Sequence, residues 1–506
     1  MAIERMRQLL IIIYLLFANQ LAAQNRNSNW CFGDSAGVHF NGSQTSLFTS
    51  SVKCRGSCAS ISDSTGALLF YYSYAPDGMI NGHPFENGNV YTKEHRIMTN
   101  GDLVVSGLWY QEGVIIPLPG DSHKYYLFTV GVTGNYGLYY SIIDMSIDSG
   151  RGSVIQKNVQ LHSFQASDCV VAIRHGNGRD WWILSKRWDA TNDEFLEYIV
   201  TPTGITSMPV QNAGAFSGSN VYRLASSKDG TKIVGTTSQG LIELFDFDQC
   251  SGIITIDQHI SSEVALNLPF YWSSEFSPSG RFLYVTRIGI DMSNSFLIQF
   301  DLSAADIFNS ADTIWVYNST PEACGAIKLA PDNKIYLSSA WEDSVNFNYP
   351  YPDSAFNTVN NNLSVINFPD SAGTSCDFTP FSFNLGTGRC YWGLPNNPDY
   401  ELGPDTNSFC DTILQTKNID LVPECKLSVY YNPEWKEVFI NASGLHGSNC
   451  VLRIYDLNGR EIYAEVAELS SQFYFKELNC SAFAKGVYFV SIQTQTERLA
   501  MRFIKE

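Results

Sequence analysis

The sequence predicts an all-β protein: a seven-bladed β-propeller followed by a small C-terminal immunoglobulin-like β-sandwich. Three observations carry this. The 506 residues include 31 Phe, 27 Tyr, 10 Trp and 38 Gly but only 16% charged residues, the usage of strands and tight turns rather than long helices. Hairpin signals recur at a near-constant spacing through residues 25–395. A Pro- and Asn-rich break then separates a last stretch, 427–506, with its own set of strands.

Residues 1–23 read as a secretory signal. Arg5 and Arg7 precede the apolar run 9–17, and Ala22 and Ala23 offer small residues for cleavage before Gln24. The run is too short to span a bilayer. Removing it takes away Glu4, Arg5 and Arg7 and leaves the mature chain one unit more negative than the full-length −18. Such a charge argues against nucleic-acid or anionic-membrane partners, which need a basic face.

Residues 24–395 follow one repeated plan, a short apolar strand, a turn, then a second apolar strand. Ile61-Ser-Asp-Ser-Thr-Gly66 leads into Ala67-Leu-Leu-Phe-Tyr71, and Ile115-Ile-Pro-Leu-Pro-Gly120 into Tyr125-Tyr-Leu-Phe-Thr129. Val170-Val-Ala-Ile173 passes through Gly176-Asn-Gly178 into Trp181-Trp-Ile-Leu184, and Val221-Tyr-Arg-Leu-Ala225 through Asp229-Gly230 into Lys232-Ile-Val234. Glu275-Phe-Ser-Pro-Ser-Gly280 and Ile327-Lys-Leu-Ala-Pro-Asp-Asn333 lead into Phe282-Leu-Tyr-Val285 and Ile335-Tyr-Leu337. The turns at 66, 120, 178, 230, 280 and 333 are 54, 58, 52, 50 and 53 residues apart. A fixed period of several strands is the mark of a propeller. The visible hairpins number one fewer than the blades. The remaining blade is expected to close the ring by pairing Trp30-Cys-Phe-Gly33 with strands near Tyr391-Trp-Gly-Leu394. Leu241-Ile-Glu-Leu-Phe-Asp246 and Phe296-Leu-Ile-Gln-Phe-Asp301 read as third strands, and the alternating Phe and Asp at 245–248 as one buried face rather than a cation loop.

Pro398, Pro404, Thr406, Asn407 and Ser408 make 396–426 a linker by composition. In 427–506, Val451-Leu-Arg-Ile-Tyr455 and Arg460-Glu-Ile-Tyr463 flank an Asn-Gly turn, and Gly486-Val-Tyr-Phe-Val-Ser-Ile492 and Leu499-Ala-Met-Arg-Phe-Ile504 are later strands of a small sandwich. The 12 cysteines of an exported chain read first as disulfides, with Cys54–Cys58, Cys410–Cys425 and Cys450–Cys480 the nearest local pairs.

No nucleophile elbow, Walker loop, dinucleotide fingerprint or zinc-binding spacing stands in a fitting context. Gly33-Asp-Ser-Ala-Gly37 has the letters of an elbow, but a strand and turn follow it. His175 lies in a turn and reads as structural. The metal and cofactor expectation is none, with a channel cation left open. Glu275 and Glu322 precede repeat strands and are the candidate acids of a central channel. Two functions compete. One is a surface propeller that binds protein or glycan; the other is a propeller enzyme of lactonase or glycan-cleaving type with a channel cation. Three or more inward Asp, Glu, His or Asn side chains at the axis would favour the enzyme. The lack of clustered His and acidic motifs favours binding.

Four motifs stand together at the C-terminus: Val429-Tyr-Tyr-Asn-Pro433, Ile454-Tyr-Asp-Leu-Asn-Gly-Arg-Glu461, Lys485-Gly-Val-Tyr-Phe-Val490 and Arg502-Phe-Ile-Lys-Glu506. The set resembles the type A C-terminal sorting domain of type IX secretion (Por) substrates from gliding and gingival bacteria. The likeness is carried by Tyr430, Asn432, Pro433, Tyr455, Asp456, Gly459, Arg460, Gly486, Tyr488, Phe503 and Lys505; Tyr431 stands where that family has Pro. The resemblance implies handling by the type IX translocon and sorting machinery. It also implies removal of the domain and a mature protein outside the cell or on the outer-membrane surface. The repeats resemble uncharacterised propellers that precede such domains, and no activity carries over. Asp-(Ser/Thr) triplets centred on Ser35, Ser64, Thr313, Ser344, Ser354, Ser371 and Thr412 resemble the O-glycosylation acceptors of the same bacterial group.

Overall fold

The computed structural model describes residues 25–411 and 426–505, apart from 75–78, 81–82, 85–86, 108, 133–134, 189–193, 216–219, 263–269, 289–293, 319–321, 342–355, 407, 409, 434–435, 444, 446, 470–472 and 496–497, and apart from the side chains at 79–80, 83–84, 262, 322, 426 and 473. The signal segment, Ser344, Ser354, Thr412 and Cys425 lie outside the described residues. Two compact units divide between Leu414 and Gln415.

The first unit is a ring of seven antiparallel sheets taken in chain order. Blade 1 has three strands, Asn29–Phe32, Asp34–Asn41 and Gln44–Lys53. The other six have four strands each and begin on Cys58–Ser62, Gly113–Pro117, Ala166–Arg174, Tyr222–Ser226, Phe270–Phe276 and Glu322–Leu329. These first strands contact one another in sequence around the axis. The expected hairpins are the first turns of blades 2 to 7. The third strands also fall as expected, at Leu241–Phe247 and Ser295–Asp301. In the former, Phe245 and Phe247 are buried and Asp246 is exposed, so the Phe-Asp alternation is strand pleat.

Ring closure differs from the expectation. Trp30–Phe32 does not pair with residues 391–394; it belongs to blade 1's own hairpin. A single bridge joins blade 1 to the far end of the propeller, with Asp34 and Arg389 exchanging backbone bonds of 2.9 and 3.0 Å. Closure otherwise comes from packing. Trp30 and Phe40 of blade 1 meet Tyr336 of blade 7 edge-on, with ring centroids 5.9 and 5.7 Å apart. Each blade is two-sided and apolar, so each sandwiched face is an aromatic and β-branched cluster of its own rather than part of one central core.

The second unit packs a three-stranded sheet (Lys426–Asn432, Glu437–Ser443, Phe473–Asn479) with a four-stranded one (Glu461–Glu468, Asn449–Asp456, Gly486–Gln493, Arg498–Lys505). Its core is Val438, Ile440, Leu452, Ile454, Val490 and Ile492, all fully buried. These are alternate positions on facing strands, the pattern of a sandwich.

Candidate functional site

The propeller axis is filled by the chain itself. Residues 391–398 form no strand, yet all are buried. A buried irregular segment strands its backbone polar groups unless neighbours satisfy them. Here the first strands do. Gly393 N–H donates to Arg55 O at 3.0 Å, Asn396 N–H to Cys58 O at 2.8 Å, and Trp392 O accepts from Ala326 N–H at 2.9 Å and from the Trp272 indole at 3.1 Å. The Asn396 amide donates to Gly113 O at 3.0 Å and Val170 O at 2.7 Å, while its oxygen accepts from Gln111 at 3.3 Å. Asn397 accepts from Ser60 N–H at 2.9 Å and donates to Asn27 at 2.8 Å, and the Tyr400 hydroxyl reaches Ile115 O at 2.8 Å. The segment therefore touches the inner strands of blades 2, 3, 4, 6 and 7. It passes Gly56 so closely that a side chain at Gly393 would overlap the Gly56 backbone.

The segment crosses from one face to the other. Its start lies beside Arg55, in the connection from blade 1 to blade 2, and beside Ala326 in the first strand of blade 7. Its exit lies over the first turn of blade 4 and the turn before the last strand of blade 5: Asp405 N–H donates to Gly176 O at 2.9 Å, and Cys410 is disulfide-bonded to Cys250. Residues 396–411, expected as the start of a linker, thus belong to the first unit. The disulfide corrects the expected Cys410–Cys425 pair. Cys54, Cys58, Cys450 and Cys480 are buried and stand outside the disulfide, so the other two local pairs are not formed; the Cys54 and Cys58 side chains are hydrogen-bonded neighbours.

The plug leaves little space. Two cavities beside it have volumes of about 100 and 50 Å³, against roughly 300–1,000 Å³ for ordinary small-molecule sites. Glu275 lines both. It is buried, and its carboxylate accepts from Leu329 N–H at 3.1 Å and Phe276 N–H at 3.2 Å, with Lys328 Nζ at 3.6 Å. Burial raises its pKa. Glu322 opens the first strand of blade 7, and its side chain lies outside the described residues. Asn396, Asn397, Asp399 and Glu275 bring the axis past the number of polar side chains linked above to catalysis. Asn396, Asn397 and Glu275 are spent on backbone and side-chain partners of the inner strands and their flanks, however. Among the described residues no group of three His, Cys, Asp or Glu is placed to hold a metal.

Sequence reasoning missed a second polar element at the axis. Asp168, fully buried, accepts from Tyr110 N–H at 3.1 Å and Gln111 N–H at 2.8 Å and pairs with Arg223. The Arg223 guanidinium lies over the Tyr110 and Trp272 rings, 4.9 and 5.0 Å from their centroids. Gln111 then clamps Leu224, donating to its oxygen at 2.6 Å and accepting from its N–H at 2.9 Å. The signal available for the plug was the aromatic run Tyr391-Trp392, read as closing strands, continuing to Tyr400 inside the stretch read as linker.

His175 is structural. Asn177 N–H donates to its Nδ1 at 3.0 Å, its Nε2 lies 3.2 Å from Cys250 O, and burial lowers its pKa. Gly33–Gly37 runs through a hairpin, with Gly33 at φ +61° between two strands. Of the described triplet residues, Ser64 and Thr313 are exposed, whereas Ser35 and Ser371 are half-buried.

An aromatic cluster lies on the outer rim between blades 6 and 7. Trp315 has ring centroids 5.0 Å from Tyr317, 5.2 Å from Phe378 and 5.6 Å from Phe381, and Tyr317 is 5.5 Å from Phe381. All four side chains are half-buried.

In the second unit the motif residues build the sandwich. Asp456 accepts from the N–H groups of Asn458 and Arg460, each at 3.0 Å, and Gly459 completes the turn at φ +77°. Tyr488 stacks on Phe503 with centroids 5.3 Å apart and donates to Ala484 O at 2.7 Å. Lys505, nearly buried, donates to Cys480 O at 2.6 Å and Phe483 O at 2.5 Å, tying the terminus to the loop before Gly486. Tyr430 is exposed and lies over Phe439.

Residues 428–506 match the family of the secretion system C-terminal sorting domain. No curated protein matches the chain. Among solved structures, the chain is similar to a candidate 6-phosphogluconolactonase of Bacteroides fragilis at 13% identity, covering 73% of this chain and 98% of that one, with a TM-score of 0.44. It is also similar to the β-propeller domain of Cps50 from Myceliophteria thermophila, at 10% identity over 62% and 92% of the two chains and a TM-score of 0.36. A third is a quinonprotein alcohol dehydrogenase-like protein of Bacteroides thetaiotaomicron, at 9% identity over 73% and 77% and a TM-score of 0.35. At these values none bears on function. The sorting domain marks the chain for export by type IX secretion to the cell surface or the extracellular space. Among the described residues no helix is long and apolar enough to cross a membrane.

Proposed function

We propose that this exported propeller is a binding module for an extracellular glycan or protein and that its axis is structural. The supporting observation is the plug: residues 391–398 occupy the place where a propeller enzyme would hold substrate, and their polar groups are consumed by the inner strands. A hydrolase needs a space for substrate and water beside its acids. The cavities of about 100 and 50 Å³ hold a few waters. Recognition then falls to the rim and the loops, as in other folds where a rigid scaffold carries variable loops. Residues 1–23 direct inner-membrane export, and Tyr430, Pro433, Asp456, Gly459 and Lys505 belong to the surface and frame by which the sorting machinery handles the last unit.

The test uses the secreted protein as the cell exports it. Retention on immobilised polysaccharides and on the surface of producing cells is measured beside turnover of lactone and glycosidic substrates, with and without chelator. Retention without turnover is expected. Chelator-sensitive turnover would reject the reading. Deleting 427–506 should keep the protein off the surface and out of the medium; normal export of that truncation would remove the sorting role.

A further inference from the structure

Phe381 has a backbone φ of +49°, a conformation that Gly or Asn adopts readily and a bulky residue does not. It lies in the last strand of blade 7, Phe378–Asn384, at a register shift between Leu363 and Val365 of the neighbouring strand. The Phe381 N–H donates to Ser364 Oγ at 3.0 Å, which fixes the bulge. The shift has a consequence for side chains. Phe378 and Phe381 are three positions apart and would face opposite sides of a regular strand. The bulge brings both to Trp315, and Phe381 also to Tyr317, on the last strand of blade 6, Asp312–Tyr317. A turn alone would be better served by Gly; here the strain is kept together with a half-exposed ring.

Resting on the binding reading above, we infer that Trp315, Tyr317 and Phe378, whose rings are tilted 32° and 46° to one another about Trp315, form a stacking site for a neutral polysaccharide, walled by Phe381, which stands edge-on to Trp315 and Tyr317. The faces of sugar rings are apolar C–H surfaces that lie on aromatic rings, while their hydroxyls need uncharged hydrogen-bonding partners at the edge. Those partners are present. Thr379 and Ser382, next in sequence to Phe378 and Phe381, have hydroxyls 3.0 Å apart; Asn367 Nδ2 donates to Thr379 Oγ1 at 3.3 Å, and the two hydroxyls also reach Val365 O at 3.3 Å and Thr379 O at 3.0 Å, keeping an acceptor lone pair each for a sugar hydroxyl. Asp312, Asp377 and the overall charge of −18 oppose an anionic polymer. The occupant that fits is therefore an uncharged glycan rather than an acidic one.

The experiment measures retention of the secreted protein on dextran, β-1,3-glucan, xylan and mannan, with alginate as the anionic contrast, together with thermal unfolding. Trp315→Ala and Phe381→Gly are the variants. The expected result is retention on at least one neutral polymer and none on alginate, with each variant weakening affinity by about tenfold or more. Phe381→Gly should leave Tm unchanged or raised, because glycine accepts the backbone angle. Retention unaffected by either substitution would place glycan binding elsewhere and overturn the stacking site while leaving the binding reading intact. If the wild type is held by no polymer, or if Phe381→Gly lowers Tm without touching retention, the rings are inter-blade packing only. The broader reading fails only if cell surfaces do not hold the chain either.

Discussion

Cys250 and Cys410, separated by 160 positions, are joined by a disulfide with Cα atoms 5.6 Å apart. The bond ties the turn before the last strand of blade 5 to the segment that has just left the axis. Gly176 of blade 4 lies against it so closely that a Cβ there would stand 2.5 Å from Cys410 Sγ. Replacing both cysteines by Ser should lower unfolding stability by about 2–4 kcal/mol, the usual worth of a bridge closing a long loop. It should also expose residues 398–411 to limited proteolysis. Denaturant titration with and without reductant checks this; an unchanged midpoint in the double variant means the bond is absent or idle.

Asn396→Ala removes the two donors that satisfy Gly113 O and Val170 O and the acceptor used by Gln111. Leaving buried carbonyls unpaired costs about 1–3 kcal/mol each. The variant should lose roughly 2–5 kcal/mol by urea denaturation. Asn396→Asp should be at least as damaging, since it offers no donor and buries a charge. A loss below about 1 kcal/mol would show that the segment does not hold the ring.

Glu112 is fully buried and accepts from Ser106 Oγ at 2.9 Å. Burial, with Asp168 beside it, pushes its carboxyl well above the ordinary 4.5. The folded protein therefore keeps a proton that the unfolded chain has lost. Stability is favoured below 4.5 and falls as pH rises from there through the raised folded value, by at most about 1.4 kcal/mol per pH unit for one proton. Glu112→Gln should flatten this slope and be relatively more stable at pH 8 than at pH 5. Parallel pH–denaturation series of the two proteins decide it; equal slopes would mean that Glu112 is ionised in the fold.

Glycan occupancy of the Asp-(Ser/Thr) triplets should favour the exposed Ser64 and Thr313 over the half-buried Ser35 and Ser371, because a glycosyltransferase needs the hydroxyl accessible. Ser344, Ser354 and Thr412 remain proposals on sequence grounds. Intact mass of the secreted form, followed by peptide mapping, gives the result. A mass equal to that of the bare processed chain would leave all seven as turns.

What could be read in the sequence was what is local. Each first turn of blades 2 to 7 carries its own Gly, Asp or Asn signal, so the period was visible at Gly66, Gly178, Gly230 and Gly280. Glu275, expected as a channel acid, lies next to the last residue of the first strand of blade 6 and lines the two cavities beside the plug; a role for it is untested. The plug was hidden by its chemistry. Pro395, Asn396, Asn397 and Pro398 have the composition of a solvated linker, and the amides that would face water instead face the strands. Nor does any pairwise spacing announce Cys250–Cys410. Phe381 gave no signal at all, since its role depends on a bulge set by Ser364 on the neighbouring strand.

The plug also puts contacts of very long sequence range at the end of the first unit. Asn27 meets Asn397 and Asp34 meets Arg389 across nearly the whole first unit, and contacts so distant in sequence form late. Blades can collapse singly as they emerge, but the ring has no finished centre until residues 390–400 arrive. Those residues precede the exit segment and the sorting unit in sequence. A chain cut short before them has neither a closed core nor the sorting domain, so completeness of the polypeptide, closure of the ring and eligibility for the type IX step all fall in the final stretch of synthesis.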